Sequence, residues 1–194
     1  MSIIENSFSI VMICWIIFFL YWIISAFFVK QSATKRKWKA MIIWRIMLIV
    51  LTILFLKFDR PDAISLFSAL FSRSFLSYTL PGIILTVSGL ITALWARIFL
   101  GRNWSNYITY KKEHELITTG PYKLLRHPIY SGTLLMLAGT FLYYGNLIIL
   151  IILMMFAAMV AWRMSKEEEA MTELFGEKYA DYMKRTKRLV PWIY

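Results

Sequence analysis

The chain has one cysteine, Cys14, and two histidines, His114 and His127, among 194 residues. A lone cysteine excludes an intrachain disulfide, and its position inside an apolar run marks it as a packing residue. One Cys and two His are too few for an ordinary zinc site, so no metal is expected. Acidic residues are scarce as well: 11 Asp and Glu stand against 22 Lys and Arg, for a net charge of +11. There is no internal repeat, low-complexity tract or interdomain linker.

What the chain does have is apolar surface. Hydrophobic residues make up 59% of it and its mean hydropathy is +0.60. A soluble domain of this length cannot bury that much, so the bilayer is its expected solvent and membrane lipids are its neighbours. The excess positive charge lies in short segments between apolar runs, where membrane topology puts it. Such loops build no basic groove, so nucleic acid is not an expected partner. The first apolar run lacks a basic start and a small-residue cleavage site, and reads as a retained membrane helix rather than a signal peptide.

The expected fold is an all-α integral membrane protein with about five transmembrane helices. The first span covers about residues 8–29 and the second about 41–58, with Arg45 near its start. Residues 59–79 contain Asp59, Arg60, Pro61 and Asp62 followed by serine-broken apolar residues, a loop with a short interfacial helix. The third span covers about residues 80–100, with Arg97 in snorkelling range of its end. The apolar stretch 130–162 is too long for one span at about 1.5 Å per residue. Gly145 and Asn146 break it near its middle, predicting a tight helical hairpin. The chain thus reads as one membrane domain, 1–194, with three apolar spans in 1–100 and the chemistry in 101–194.

Basic residues support the count. Residues 30–39 hold five Lys or Arg, residues 101–129 hold five and residues 163–194 hold seven. Residues 58–79 hold two and the turn at 145–146 none. The rich and poor segments alternate as five spans require. The positive-inside rule then puts the N-terminus outside and the residues bearing the chemistry in the cytoplasm. Past the fifth span, Met171, Leu174, Phe175, Tyr179, Tyr182 and Met183 recur at helical spacing, which predicts an amphipathic cytoplasmic helix. Residues 189–194 form an apolar tail, anchored at the interface or folded back on the domain.

The polar segment before the hairpin is the most informative. Gly120 and Pro121 make a turn, and Pro128 suits the first turn of a helix, where its missing N–H does no harm. His127 then sits at the helix start, beside open backbone N–H groups suited to an anion such as a carboxylate. Arg163 and Glu167 share a helix face at the inner end of the last span. A plain reading exists for each: a helix cap, a snorkelling arginine, and a solvated glutamate run with a surface pair worth ~0.3–0.5 kcal/mol. Their convergence at one membrane depth, next to lipid, makes them functional candidates.

The order and spacing of Gly120-Pro121-Tyr122, Arg126-His127-Pro128-x-Tyr130-x-Gly132, Arg163-x-x-x-Glu167-Glu168 and Phe175-Gly176-x-x-Tyr179-x-x-Tyr182 resemble the isoprenylcysteine carboxyl methyltransferase family. The phospholipid N-methyltransferases share much of the pattern. The resemblance covers about residues 110–194; residues 1–109 match only as apolar spans. It implies S-adenosylmethionine as methyl donor, released as S-adenosylhomocysteine, and a lipid-anchored prenylcysteine carboxylate as acceptor. By motif position, Glu115, Leu116, Gly120, Tyr122, His127, Tyr130 and Glu168 would line the donor pocket. Arg163 and Glu167 would face the methyl-transfer site. The family does not use the soluble Rossmann fold, and this chain has no Gly-x-Gly strand–turn–helix signal.

A carboxylate acceptor is ionised at neutral pH, since its unperturbed pKa is roughly 3.5. It needs desolvation and alignment rather than a base. Arg163 is expected to hold it with a planar fork and Glu167 to orient Arg163. Glu168, on another face, is expected to take the donor's amino group or ribose. If the acceptor were a lipid amine instead, Glu167 would be the general base and Arg163 would hold the lipid phosphate. A scaffold or channel would call for polar stripes along several spans, which are lacking.

Overall fold

A computed structural model describes residues 2–26, 76–101 and 116–190 of the chain. The expected second span and Glu115 lie outside the described residues. Regular structure among the described residues is helical: α1 (Ser2–Ala26), α2 (Leu76–Leu100), a 3₁₀ turn (Gly120–Lys123), α3 (Pro128–Tyr144), α4 (Leu147–Phe175) and α5 (Glu177–Arg185). Hydrocarbon leaves backbone polar groups no partners but each other, which a helix satisfies within one segment. Tyr78–Leu100 and Leu147–Phe175 are each long and apolar enough to cross a bilayer.

Helix α2 has two faces written at the same seven-residue spacing. Ile84, Ile91 and Ile98 are exposed, with Leu80 and Trp95 beside them, while Gly82, Gly89 and Ala96 are buried. The glycines meet glycines of α3. A Cβ on Gly89 would stand 2.5 Å from the Gly132 carbonyl oxygen, and one on Gly139 would stand 2.5 Å from that of Gly82. Only hydrogen fits along this seam. Lipid chains are as apolar as leucine, so close backbone approach and dispersion replace the hydrophobic effect as the force between helices.

Helix α1 closes the cluster from the other side. Cys14 and Phe18 pack with Leu90 and Ala93 of α2 and Met136 of α3, so the cysteine is the packing residue expected. Trp15 donates from Nε1 to the Thr140 hydroxyl at 3.0 Å, while Thr140 returns its own proton to the Met136 carbonyl. Thr86 does the same toward Gly82. These hydroxyls satisfy themselves within their helices, as an apolar interior demands.

The hairpin forms where Gly and Asn predict it. Gly145 caps α3 with φ 60° and ψ 23°, a left-handed conformation that glycine adopts without penalty. Asn146 then caps α4 by accepting from the Ile148 N–H at 2.7 Å. Because the two helices run back antiparallel, residues similarly far from the turn return to one level. At 29 residues, α4 is about 44 Å long, so its last turns project beyond ~30 Å of hydrocarbon.

Two expectations need correction. Residues 165–183 do not form one amphipathic helix. Instead α4 runs unbroken to Phe175, Gly176 turns the chain at φ 55° and ψ −126°, and α5 follows. A side chain disfavours that backbone conformation, so the glycine sets the break despite the continuous apolar periodicity. Arg97 does not snorkel either. It is 3% exposed and donates to the carbonyls of Gly101 at 2.8 Å and of Ser25 in α1 at 3.3 Å. Carbonyls at the ends of two helices attract it more than a path to solvent.

Candidate active site

Three segments meet at the far end of the hairpin: the loop leading into α3, the last turns of α4, and residues 182–190. The loop is shaped by glycine and proline. Gly120 has φ 59°, and any Cβ there would run into the ring of Phe99, so two independent constraints require glycine. Pro121 occupies the first turn of the 3₁₀ element. Pro128 opens α3 after His127 as N-cap, as the spacing predicts.

Just before α3, two backbone N–H groups are taken up within the chain. The N–H of His127 donates to the Arg188 carbonyl at 3.1 Å, the N–H of Arg126 to the Lys187 carbonyl at 2.7 Å, and Pro128 has no N–H. Lys187 in turn donates to the Leu124 carbonyl, and Leu125 and Lys187 form a parallel bridge. Ser131 adds a hydroxyl bond to the Leu189 carbonyl at 2.6 Å. Residues 186–190 therefore fold back on the domain as a strap.

The side chains form a continuous polar cluster. Glu167 Oε1 accepts from Arg163 Nε and from the Tyr130 hydroxyl, both at 2.7 Å. His127 lies between the paired carboxylates: its Nδ1 is 3.6 Å from Glu167 Oε2 and its Nε2 is 3.3 Å from Glu168 Oε1. Its ring stacks near that of Tyr130, with centroids 5.7 Å apart and planes 24° apart. Glu168 Oε1 also accepts from Arg126 Nε at 2.7 Å. Arg188 donates to Oε2 from Nε and Nη2, at 3.0 and 2.6 Å. The carboxylate of Glu168 is thus almost fully enclosed, at 7% exposure, while that of Glu167 keeps 23%.

Beneath this cluster lies a shell of tyrosines. The Tyr182 hydroxyl donates to the Tyr122 carbonyl at 2.7 Å, joining α5 to the 3₁₀ turn. Burial pushes the phenols of Tyr122, Tyr179 and Tyr182 above their ordinary value, so they stay neutral.

Of the residues singled out from sequence, Tyr130, His127, Arg163, Glu167 and Glu168 come together, and Tyr122 joins them through Tyr182. Leu116 is half-buried in the segment before the turn, and Gly120 shapes that turn against α2. Glu168 departs most from expectation: both its oxygens already hold side chains of the chain itself. Arg126 appears in the motif without an assigned task, and Arg188 was not singled out at all. Its partner is twenty residues away across a helix break, and no periodicity links the two. The three-residue spacing of Tyr179 and Tyr182 was the one signal for the tyrosine shell. Chemically, a partly open carboxylate beside an aromatic ring suits a ligand with a cationic centre, and the adjoining guanidinium suits an anion.

Comparison with known proteins identifies the family of the chain. The model of the family described as phospholipid methyltransferase matches residues 77–178, covering α2, α3 and α4. Protein-S-isoprenylcysteine O-methyltransferase B of Arabidopsis thaliana is 33% identical over 119 residues, covering 58% of this chain and 58% of that protein. A probable protein-S-isoprenylcysteine O-methyltransferase of Oryza sativa subsp. japonica is 30% identical over 151 residues, covering 74% and 76%. A solved structure of a eukaryotic intramembrane Ras methyltransferase, isoprenylcysteine carboxyl methyltransferase, has a TM-score of 0.53 at 21% identity, covering 83% of this chain and 55% of that one, and so shares its fold. The chain therefore spans little more than half of the Arabidopsis protein and of the solved structure, and about three quarters of the rice protein. It belongs to this family of membrane methyltransferases, together with the protein-S-isoprenylcysteine O-methyltransferases.

Proposed function

We propose that the chain transfers a methyl group from S-adenosylmethionine to the C-terminal carboxylate of a prenylated cysteine at the cytoplasmic membrane face. The observation that carries this reading is Arg163 held by Glu167, whose same oxygen receives the Tyr130 hydroxyl. An arginine fixed in place at the bilayer boundary suits a lipid-borne anion. The exposed apolar flank of α4, with Met154, Met155 and Trp162, offers the acceptor's lipid chain an approach from the bilayer.

S-adenosylmethionine, when bound, supplies a methyl on a sulfonium centre, and its transfer to a carboxylate oxygen releases no proton. The chain is therefore left with orientation and dehydration. Arg163 grips the acceptor carboxylate, and Glu167 and Tyr130 hold Arg163 in one rotamer, so its alignment is set before the acceptor arrives. The carboxylate of Glu167 and the ring of Tyr130 favour the donor's cationic sulfonium. Leu116, Gly120, Tyr122 and His127 line the donor side, with Glu115 preceding them in the chain. Glu168 serves this side indirectly, by fixing His127. In this reading the chain crosses the membrane five times with its N-terminus outside.

Radiolabelled donor offered with a small prenylcysteine analogue and with phosphatidylethanolamine tests the reaction. Base-labile methyl ester on the analogue is the expected product. Label on the amine lipid alone would replace this reading with amine methylation of a phospholipid, the lipid class named in the matched family's description. Cysteine-accessibility labelling tests the topology: probes at Ser32 and Ser105 react from the cytoplasm and one at Asn146 from the opposite side. Reaction of Asn146 from the cytoplasm would make the hairpin re-entrant.

A further inference from the structure

The strap of residues 186–190 holds His127 twice. Its main chain takes the His127 N–H on the Arg188 carbonyl. The side chain of the same Arg188 takes one oxygen of Glu168, and the other oxygen lies against the His127 ring. A carboxylate pinned at one oxygen can no longer rotate about its last bond, so Arg188 sets the direction in which Glu168 presents the other. Arg126 braces the arrangement from beneath. It donates to that second oxygen and, from Nη1, to the carbonyls of Thr186 and Met183 at 2.5 and 3.2 Å. Glu168 and Arg126 are largely desolvated here while Arg188 stays part-buried, and charge-assisted bonds in such surroundings are strong and directional.

We infer that Arg188 is a positioning residue for the methyl donor, acting through Glu168 to fix the orientation of the His127 ring. The strap thereby sets donor affinity from outside the helical core. The ring so held also faces Glu167, so one side chain is shared by the donor side and the reaction centre. This inference rests on the reading of His127 as a donor-binding residue.

The full-length protein in detergent micelles, titrated calorimetrically with S-adenosylhomocysteine, tests it. Arg188→Ala weakens binding about tenfold (~1.4 kcal/mol). It raises the KM for S-adenosylmethionine to match and lowers kcat at saturating donor by a smaller factor, because Arg163 and Glu167 keep their own pairing while the shared ring is loosened. Arg188→Lys keeps a charge that reaches Glu168 and recovers most of the affinity, which a role in folding alone would not require. The double variant His127→Ala with Arg188→Ala binds no more weakly than His127→Ala, since both act on one ring. Should Arg188→Ala prove too unstable to purify, Arg188→Gln gives the same comparison with less loss of packing. Losses that multiply in the double variant overturn the inference, as does unchanged affinity in Arg188→Ala where His127→Ala binds weakly; in both cases the donor-site reading survives. Unchanged affinity in His127→Ala overturns the donor-site reading and the inference together.

Discussion

The seam between α2 and α3 and the polar cluster at the end of the hairpin are specified in opposite ways. The seam works through what its residues lack. Gly82, Gly89, Gly132 and Gly139 leave room for two backbones to touch, and every contact lies between neighbours in the helix pair. The cluster works through what its residues carry. Arg126, His127, Arg163, Glu167, Glu168 and Arg188 come from three separate segments and satisfy one another's charges. The seam is close-packed and short-range, set by backbone approach alone. The cluster is directional, and each member's orientation depends on its neighbours, which suits a site that must align two reactants. Substitution should therefore destroy the molecule at the seam and the activity at the cluster.

The largest effect is expected at the seam. Gly89→Val places a branched side chain where even a Cβ would lie 2.5 Å from the Gly132 carbonyl. The cost exceeds the roughly 1–3 kcal/mol of ordinary overpacking, and no monodisperse protein should be recovered by size-exclusion chromatography. Ile91→Val, on the outer face of the same helix, should behave as wild type. Equal recovery of both variants would end the contrast between the faces.

Next comes Arg163→Ala, which should lower turnover by about a hundredfold or more through lost alignment, with donor affinity and folding retained. Arg163→Lys should recover only part of it, because an ammonium lacks the planar fork. Wild-type turnover in Arg163→Ala would leave the pair with Glu167 a surface feature. A smaller loss is expected for Glu167→Gln, whose amide oxygen still accepts from Arg163 and Tyr130. With a carboxylate acceptor the wild-type rate should stay flat with pH above about 5, the acceptor being ionised already. With an amine acceptor the same variant should be inactive and the wild-type rate should climb with pH, since Glu167 would then have to remove a proton. The mildest change belongs to His127→Ala. The protein should stay folded and bind S-adenosylhomocysteine roughly tenfold more weakly, about one hydrogen bond's worth in a polar cluster.

Local physics was legible in the chain itself. Apolar runs of span length, Gly145 and Asn146 at the turn, Pro128 at the first turn of α3 and Cys14 as a packing residue all follow from the demands of a helix in hydrocarbon. The pairing of Arg163 with Glu167 was legible too, because a four-residue separation on one helix fixes proximity. Sequence patterns could not show where charges go once the chain folds back. Arg97 reads as a snorkelling residue until α1 brings the Ser25 carbonyl to it. Glu168 reads as an open ligand until Arg126 and Arg188 close on it. The N–H groups of Arg126 and His127, just before α3, are taken by a strap some sixty residues later in the chain. Periodicity governs partners one helical turn apart. Partners that meet across a hairpin and a helix break are chosen by the geometry of Gly145 and Gly176, so only the tertiary structure decided which carboxylate is occupied and which stays open.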